Sequence, residues 1–271
     1  MADERGQTGV AGLGARLSRA STQGLEDLGL GGELFAQSLA WLVLGRRRRQ
    51  PVRLAAIFEQ MMSVGIDAIL IVSILAATIG LMLAMQSIDA LKQFGAETLV
   101  VLGIAPVLTR EFAPLITGIL VAGRSGSALA ARLASMTLSQ EIDALTVIGV
   151  NPVRFLVVPA LLAMIVMLPT LTFWSDLVAF TGAGLYVTGT LGMSWRLYYE
   201  QTFEVVKMGD VLHGIAKAAI FAVLITIVGV VNGATVTGGA EGVGRVTTRS
   251  VVQAISAIII ADMIYVYLTT R

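Results

Sequence analysis

The sequence contains no cysteine and a single histidine, His213. Disulfides, thiolate metal sites and cysteine nucleophiles are therefore excluded, and a histidine-based metal cluster lacks its ligands. Charge is scarce too. Asp, Glu, Lys and Arg make up 14% of the 271 residues, where a soluble domain carries roughly 25%. The formal net charge of +1 leaves no basic excess for a nucleic-acid partner. Neither GxxxxGKS nor GxxxxGKT occurs, so no nucleotide site of the chain's own is expected, and if the chain pumps, another hydrolyses the ATP. The polar amino terminus has no early apolar segment, so no cleaved signal peptide is expected.

Apolar residues are abundant at 56%, and the mean hydropathy is +0.82. A chain of this kind cannot cover itself with a water-facing surface, and a bilayer is its natural solvent. A spanning helix needs about 20 mostly apolar residues. Ala68–Met85, Leu99–Ala122, Phe155–Ser175, Ala218–Thr237 and Val251–Leu268 meet that need. The fold class is therefore all-α: a polytopic membrane protein with about five transmembrane helices and an amino-terminal interfacial helix. Leu177–Trp195 is also uncharged, but Gly182, Gly184, Gly189 and Gly192 weaken the case for a regular helix there. It reads as the tail of the third helix, running out of the membrane.

Charge placement orients the spans. Arg46 to Arg49, with Arg53 behind them, precede the first span and should stay cytoplasmic. Five spans then keep Arg124, Arg132, Arg154, Arg245 and Arg249 on that same side, and put Asp89, Lys92 and the segment from Arg196 to Asp210 outside. The expected arrangement is amino terminus cytoplasmic and carboxyl terminus outside. Upstream, Leu30–Leu44 is apolar but too short to cross. It suits either an interfacial helix or a short helix packed on the bundle. The organisation so read is a polar tail over 1–29, an interfacial helix and basic segment over 30–60, and a membrane-spanning domain over 61–271.

Several residues need an explanation. Arg110 and Glu111 sit within the second span, where insertion scales put a central charge at roughly 2.5–3.5 kcal/mol. Adjacent helical residues point about 100° apart, so the two do not satisfy each other. Pro106 and Pro114 flank them and each removes a backbone donor. A broken helix lining a polar opening and an interhelical ion pair both account for this pattern. Asp262 in the fifth span suits an intramembrane ion pair with an arginine such as Arg249. Asp67 and Asp176 lie near expected span ends, within reach of water. Between the second and third spans, Ser139 to Leu145 reads as a short amphipathic helix ended by Gly149 and Asn151-Pro152. Glu141 and Asp143 suit a soluble partner better than an anionic lipid surface. Gly238–Val252 reads as a glycine-rich cytoplasmic loop.

Gly123-Arg124-Ser125-Gly126 spells the GxSG of rhomboid proteases, with His213 as a candidate base. A dyad needs hydrogen-bond reach, whereas the expected topology puts the two residues at opposite membrane faces.

Three stretches together resemble the MlaE/YrbE family, the permeases of MCE-associated lipid ABC transporters. They are LTREFAPLITGILVAGRSGSALAARLASM (Leu108–Met136), QEIDALTVIGVNPVRFLVVP (Gln140–Pro159) and GGAEGVGRVTTRSVV (Gly238–Val252). Arg132 stands where the family commonly has glutamate, Thr137 where arginine is common, and Phe112-Ala113 where Leu-Gly is usual. The resemblance implies a homodimer of five-span subunits in a bacterial inner membrane, with the carboxyl terminus periplasmic and an outward-open lipid cavity between the subunits; no cofactor is expected. A cytoplasmic ABC ATPase pair, a periplasmic MCE-domain protein and often a STAS-like protein would be its partners. Phospholipid would be the cargo, with sterol or another hydrophobic molecule as the alternative and a non-transporting scaffold as the rival. Arg110 and Glu111 would lie on the lipid path. Gln140, Glu141, Asp143 and Leu145 would belong to the segment that couples to the ATPase.

Overall fold

The computed structural model describes residues 29–41 and 53–269. The arginine run at 46–49 lies outside the described residues. The chain divides into two compact units at Pro51/Val52. In the first, residues 29–41 form helix α1, which covers most of the apolar stretch expected to be helical.

In the second unit, five helices are long and apolar enough to cross a membrane: α2 (Leu54–Lys92), α3 (Glu97–Leu138), α5 (Val153–Leu191), α7 (Met208–Ala234) and α8 (Gly239–Thr269). Two short helices join them, α4 (Glu141–Val147) between α3 and α5, and α6 (Trp195–Val205) between α5 and α7. The described residues contain no strand. The chain is a multi-pass α-helical membrane protein. The spans alternate in direction, so α4 marks one end of the array and α6 the other.

The helices are longer than their apolar runs. The 39 residues of α5 reach about 58 Å at 1.5 Å per residue, against a hydrocarbon core of about 30 Å. The stretch from Leu177 is the continuation of the third helix, as expected, and adds no sixth span. Its glycines do not disturb it, because Val158–Leu191 is one uninterrupted α-helix. Any side chain at Gly182 would strike the backbone of Ala77, and one at Gly80 the backbone of Ala179. The missing side chains let α2 and α5 pack backbone to backbone, which offsets glycine's low helix propensity. Gly192, at φ 65°, then ends the helix in the left-handed conformation.

Two apolar clusters fill the interior. Val72, Met164, Leu168, Phe221, Ile225 and Ile258 form one. Ile88, Val100, Ile104, Leu108, Phe180 and Tyr198 form the other, nearer α6. Helix α6 is anchored by Tyr198, whose hydroxyl donates to the Phe180 carbonyl at 2.9 Å. Burial pushes this phenol up to about 12, so it remains a donor at any working pH. Trp195, Tyr199 and Phe203 stack along α6, an aromatic row of the kind found at membrane–water interfaces. Helix α8 is the peripheral one, burying Gly242, Ser250, Ala254 and Ile258.

Two expected boundaries move. Gly238–Val252 is a loop only at its first residue, since helix α8 begins at Gly239. The fourth span begins at Met208, ten residues before Ala218. Both shifts have one cause: charged and glycine residues that look like loop in sequence are inside helices, where packing or partner charges accommodate them.

Candidate functional site

The second span is continuous where a broken helix was one of the two readings. Leu108–Phe112 forms a π turn between α-helical segments. Pro114 offers no N–H to the Arg110 carbonyl four residues back, and the wider turn absorbs the missing bond without breaking the helix. Arg110 and Glu111 both project from this turn, toward different partners.

Arg110 Nε donates to Asp210 Oδ1 at 2.5 Å. Asp210 Oδ2 in turn accepts from the Lys207 backbone N–H at 2.9 Å, which caps the first turn of α7. Glu111 Oε2 accepts from Lys217 Nζ at 2.5 Å. Lys217 Nζ also lies 2.9 Å from Asp262 Oδ1, an ionic contact without hydrogen-bond alignment. The Lys217 side chain is 0% exposed, so its charge depends on these two carboxylates. Its Nζ further lies 5.7 Å from the centre of the Tyr265 ring, and His213 meets the edge of that ring at 4.8 Å.

Spacing explains the convergence. Asp210, His213 and Lys217 follow an i, i+3, i+7 pattern on one face of α7, and Asp262 and Tyr265 an i, i+3 pattern on α8. The result is one cluster of two cations and three carboxylates, formally −1, drawn from α3, α7 and α8. It is closed on one side and open on the other. Lys217 and Asp210 are buried, while Arg110 is 52% and Glu111 36% exposed. Arg110 thus keeps an exposed face while its Nε is held by a buried carboxylate.

Lys217, Asp210 and Tyr265 are the members that sequence reading missed. The pairing expected for Asp262 is corrected: its partner is Lys217, and Arg249 lies thirteen residues earlier on the same helix, about 20 Å away. Asp176 is likewise corrected. It lies in mid-helix, 5% exposed, and its Oδ1 has no hydrogen-bond partner. Asp67 is exposed, as expected, and meets Arg124 at 3.5 Å.

The remaining candidates stand apart from the cluster. Gln140 takes a left-handed backbone (φ 60°) that turns α3 into α4. Glu141 and Asp143 are exposed, Leu145 is half-buried, and Val147 and Ile148 are 87% and 71% exposed. The protease dyad does not form. Gly126, next to Ser125, packs on Ile225, twelve residues beyond His213 and so about 18 Å along α7.

The sequence matches the family model described as Permease MlaE over residues 57–268. Among curated relatives, a probable ABC transporter permease protein of Synechocystis is 36% identical, over 75% of this chain and 78% of its own length. One from Rickettsia typhi is 31% identical over 84% and 90%. The intermembrane phospholipid transport system permease protein MlaE of Haemophilus influenzae is 31% identical over 76% and 79%. The matched region takes in all five long helices and the charge cluster between them, and the chain is a member of the MlaE permease family.

Proposed function

We propose that this chain is the membrane subunit of an ABC transporter that moves phospholipid between the inner membrane and a periplasmic MCE-domain protein, and so maintains outer-membrane lipid asymmetry. The observation that carries the reading is the half-open charge cluster. Charges within the hydrocarbon region are costly, and a purely structural pair would be expected to be buried on both sides. Here Arg110 and Glu111 stay accessible while their partners are sequestered. A zwitterionic or anionic headgroup passing along α3 would meet the Arg110 guanidinium, with Glu111 holding Lys217 in place. The relatives named as ABC transporter permeases and as part of a phospholipid transport system support the same assignment.

In this reading two copies of the chain pair, and a cytoplasmic ATPase pair docks on α4, with a STAS-like protein as an accessory. Arg124, Arg132, Arg154, Arg245 and Arg249 all belong to the half of the array nearer α4, which suits a cytoplasmic location for that end. The amino terminus would then be cytoplasmic and the carboxyl terminus periplasmic.

The test is lipid analysis of the purified complex together with ATPase stimulation by the MCE partner. Co-purified phospholipid and partner-dependent ATPase activity are expected. A complex that assembles and hydrolyses ATP while carrying sterol alone, or no lipid, would rule out phospholipid as the cargo. Lipid-free assembly without stimulation would favour a scaffold.

A further inference from the structure

A second polar region lies at the end of the array that carries α4. There the first turns of α2, the last third of α3 and the start of α5 enclose a cavity of about 290 Å³, with Gln60, Ser63, Arg124, Ser125 and Arg132 in its wall. A second cavity of about 160 Å³ shares Gln60, Leu129 and Arg132 with it and adds Arg53 and Glu59. Arg110 and Arg124 are fourteen residues apart on one helix, about 21 Å, so this region is separate from the charge cluster.

Its polar groups are only partly used. Arg124 donates to the Ser63 carbonyl at 3.0 Å and lies 3.5 Å from Asp67. Among the described residues, Arg132 and Gln60 make no side-chain hydrogen bond or ion pair. Ser125 is 8% exposed, and its Oγ has no hydrogen-bond partner. Arg53, Arg124 and Arg132 against Glu59 and Asp67 leave a formal +1, opposite in sign to the charge cluster. A solvated helix face accounts for an exposed arginine, but not for an unpartnered buried hydroxyl beside two guanidinium groups in an interhelical cavity. Buried hydroxyls are normally bonded.

We propose that this cavity binds a phosphate group, as a monoester, a diester or the free ion. Arg132 and Arg124 supply its counter-charge, and Ser125 and Gln60 supply hydrogen bonds. Arginine is suited to this task because its planar fork matches phosphate oxygens. Leu129, Leu133 and Phe155 line the adjoining second cavity, which gives an acyl chain an apolar wall beyond Arg132. The assignment does not depend on transport by the chain.

The absence of native cysteine permits a direct test. Ala128→Cys would place the protein's only thiol in the cavity wall, at an exposed position. Its alkylation by a charged maleimide is followed in the full-length chain with inorganic phosphate, dioctanoyl phosphatidylglycerol or dioctanoylglycerol. A phosphate-bearing probe should slow labelling, and dioctanoylglycerol should not. Protection by phosphatidylglycerol alone would identify a lipid headgroup as the ligand, and equal protection by inorganic phosphate a free anion. Adding Arg132→Gln or Ser125→Ala should raise the protecting concentration at least about tenfold, as expected for loss of one charge-assisted contact. Arg132 is exposed and the Ser125 hydroxyl is unpartnered, so both variants should keep the parent's thermal unfolding. A Gln93→Cys thiol at the far end should label at the same rate throughout. The proposal is overturned if dioctanoylglycerol protects as well as the phosphates, if both variants are protected at unchanged concentrations, or if Gln93→Cys is protected equally.

Discussion

Helix α3 passes through two π turns that each carry an arginine, and the two arginines are met differently. Arg110, in Leu108–Phe112, pairs with an Asp210 side chain that is 7% exposed, beside a lysine that is 0% exposed. Arg124, in Ala122–Gly126, meets a backbone carbonyl and an Asp67 side chain that is 61% exposed. In the first region every ion pair reaches across to another long span, so the charges tie α3, α7 and α8 together. In the second, α3 and α2 are linked by contacts that water can replace. The same local backbone device therefore serves an ion-pair network with sequestered partners at one level and a half-committed polar cavity at the other. What separates them is the burial of the partner, and each region should respond to mutation accordingly.

The sharpest way to break the comparison is at Lys217. Lys217→Met leaves Glu111 and Asp262 without their cation in a low-dielectric setting. Removal of one partner of a buried pair costs about 3–5 kcal/mol. Denaturant unfolding in mixed micelles should show a loss of that order. Adding Glu111→Gln and Asp262→Asn should recover most of it, because the stranded charges are then gone. A loss below about 1 kcal/mol for the single variant would mean that the carboxylates already reach water.

Arg110→Ala comes next. Asp210 keeps its Lys207 N–H bond, and Arg110 is half exposed, so the stability loss should be about 1–2 kcal/mol. Lipid transfer by the reconstituted complex should fall further, at least about tenfold, if Arg110 makes the proposed headgroup contact. Equal proportional losses of stability and transfer would reduce Arg110 to a structural ion-pair element. Arg124→Gln should matter less. An exposed pair with a 3.5 Å separation is worth about 0–1 kcal/mol, and a larger loss on unfolding would show that the two π turns are energetically alike.

The sequence made the helical class and the number of spans legible because long uncharged runs have few other uses. Its account of Arg110 and Glu111 stopped at the question of partners, and the reason is physical. Their partners Asp210 and Lys217 lie about 100 residues away in sequence, in a segment whose charges made it look like loop. A fourth span counted from Ala218 starts just past Lys217, the residue that completes the cluster. The i, i+3, i+7 spacing of Asp210, His213 and Lys217 was the available signal, and it has meaning only once that stretch is taken as helix. Asp176 was misplaced for the converse reason: the glycines after it resemble a helix end, yet they serve close packing of α5 on α2. The Asp262–Lys217 contact could not be read at all, since either of two cations was chemically acceptable and only the packing of α7 on α8 chooses between them.

Helix α4 supplies the lower limit of the comparison, a place where charges should contribute to function and hardly to stability. Glu141 and Asp143 are exposed, and among the described residues their one side-chain hydrogen bond is the one Glu141 Oε1 accepts from Ser139 Oγ at 2.9 Å. Exposed substitutions away from such features shift stability by about 0.5 kcal/mol or less. The double variant Glu141→Lys, Asp143→Lys should therefore unfold at nearly the same denaturant concentration as the parent. It also places cations in the first turn of α4, where the helix dipole favours anions, so a slight loss is the expected sign. In the proposed docking of the ATPase on α4, the exposed Val147 and Ile148 would supply the apolar part of the surface and the two carboxylates its charge. Reversing that charge should weaken attachment of the ATPase and uncouple hydrolysis from lipid transfer in a complex that still inserts and pairs. Co-purification of the ATPase with the double variant, alongside its unfolding curve, separates the two effects. Retained ATPase binding with full transfer would remove α4 from the coupling path. A stability loss comparable to that of Lys217→Met would show that α4 is held by contacts its exposure does not reveal.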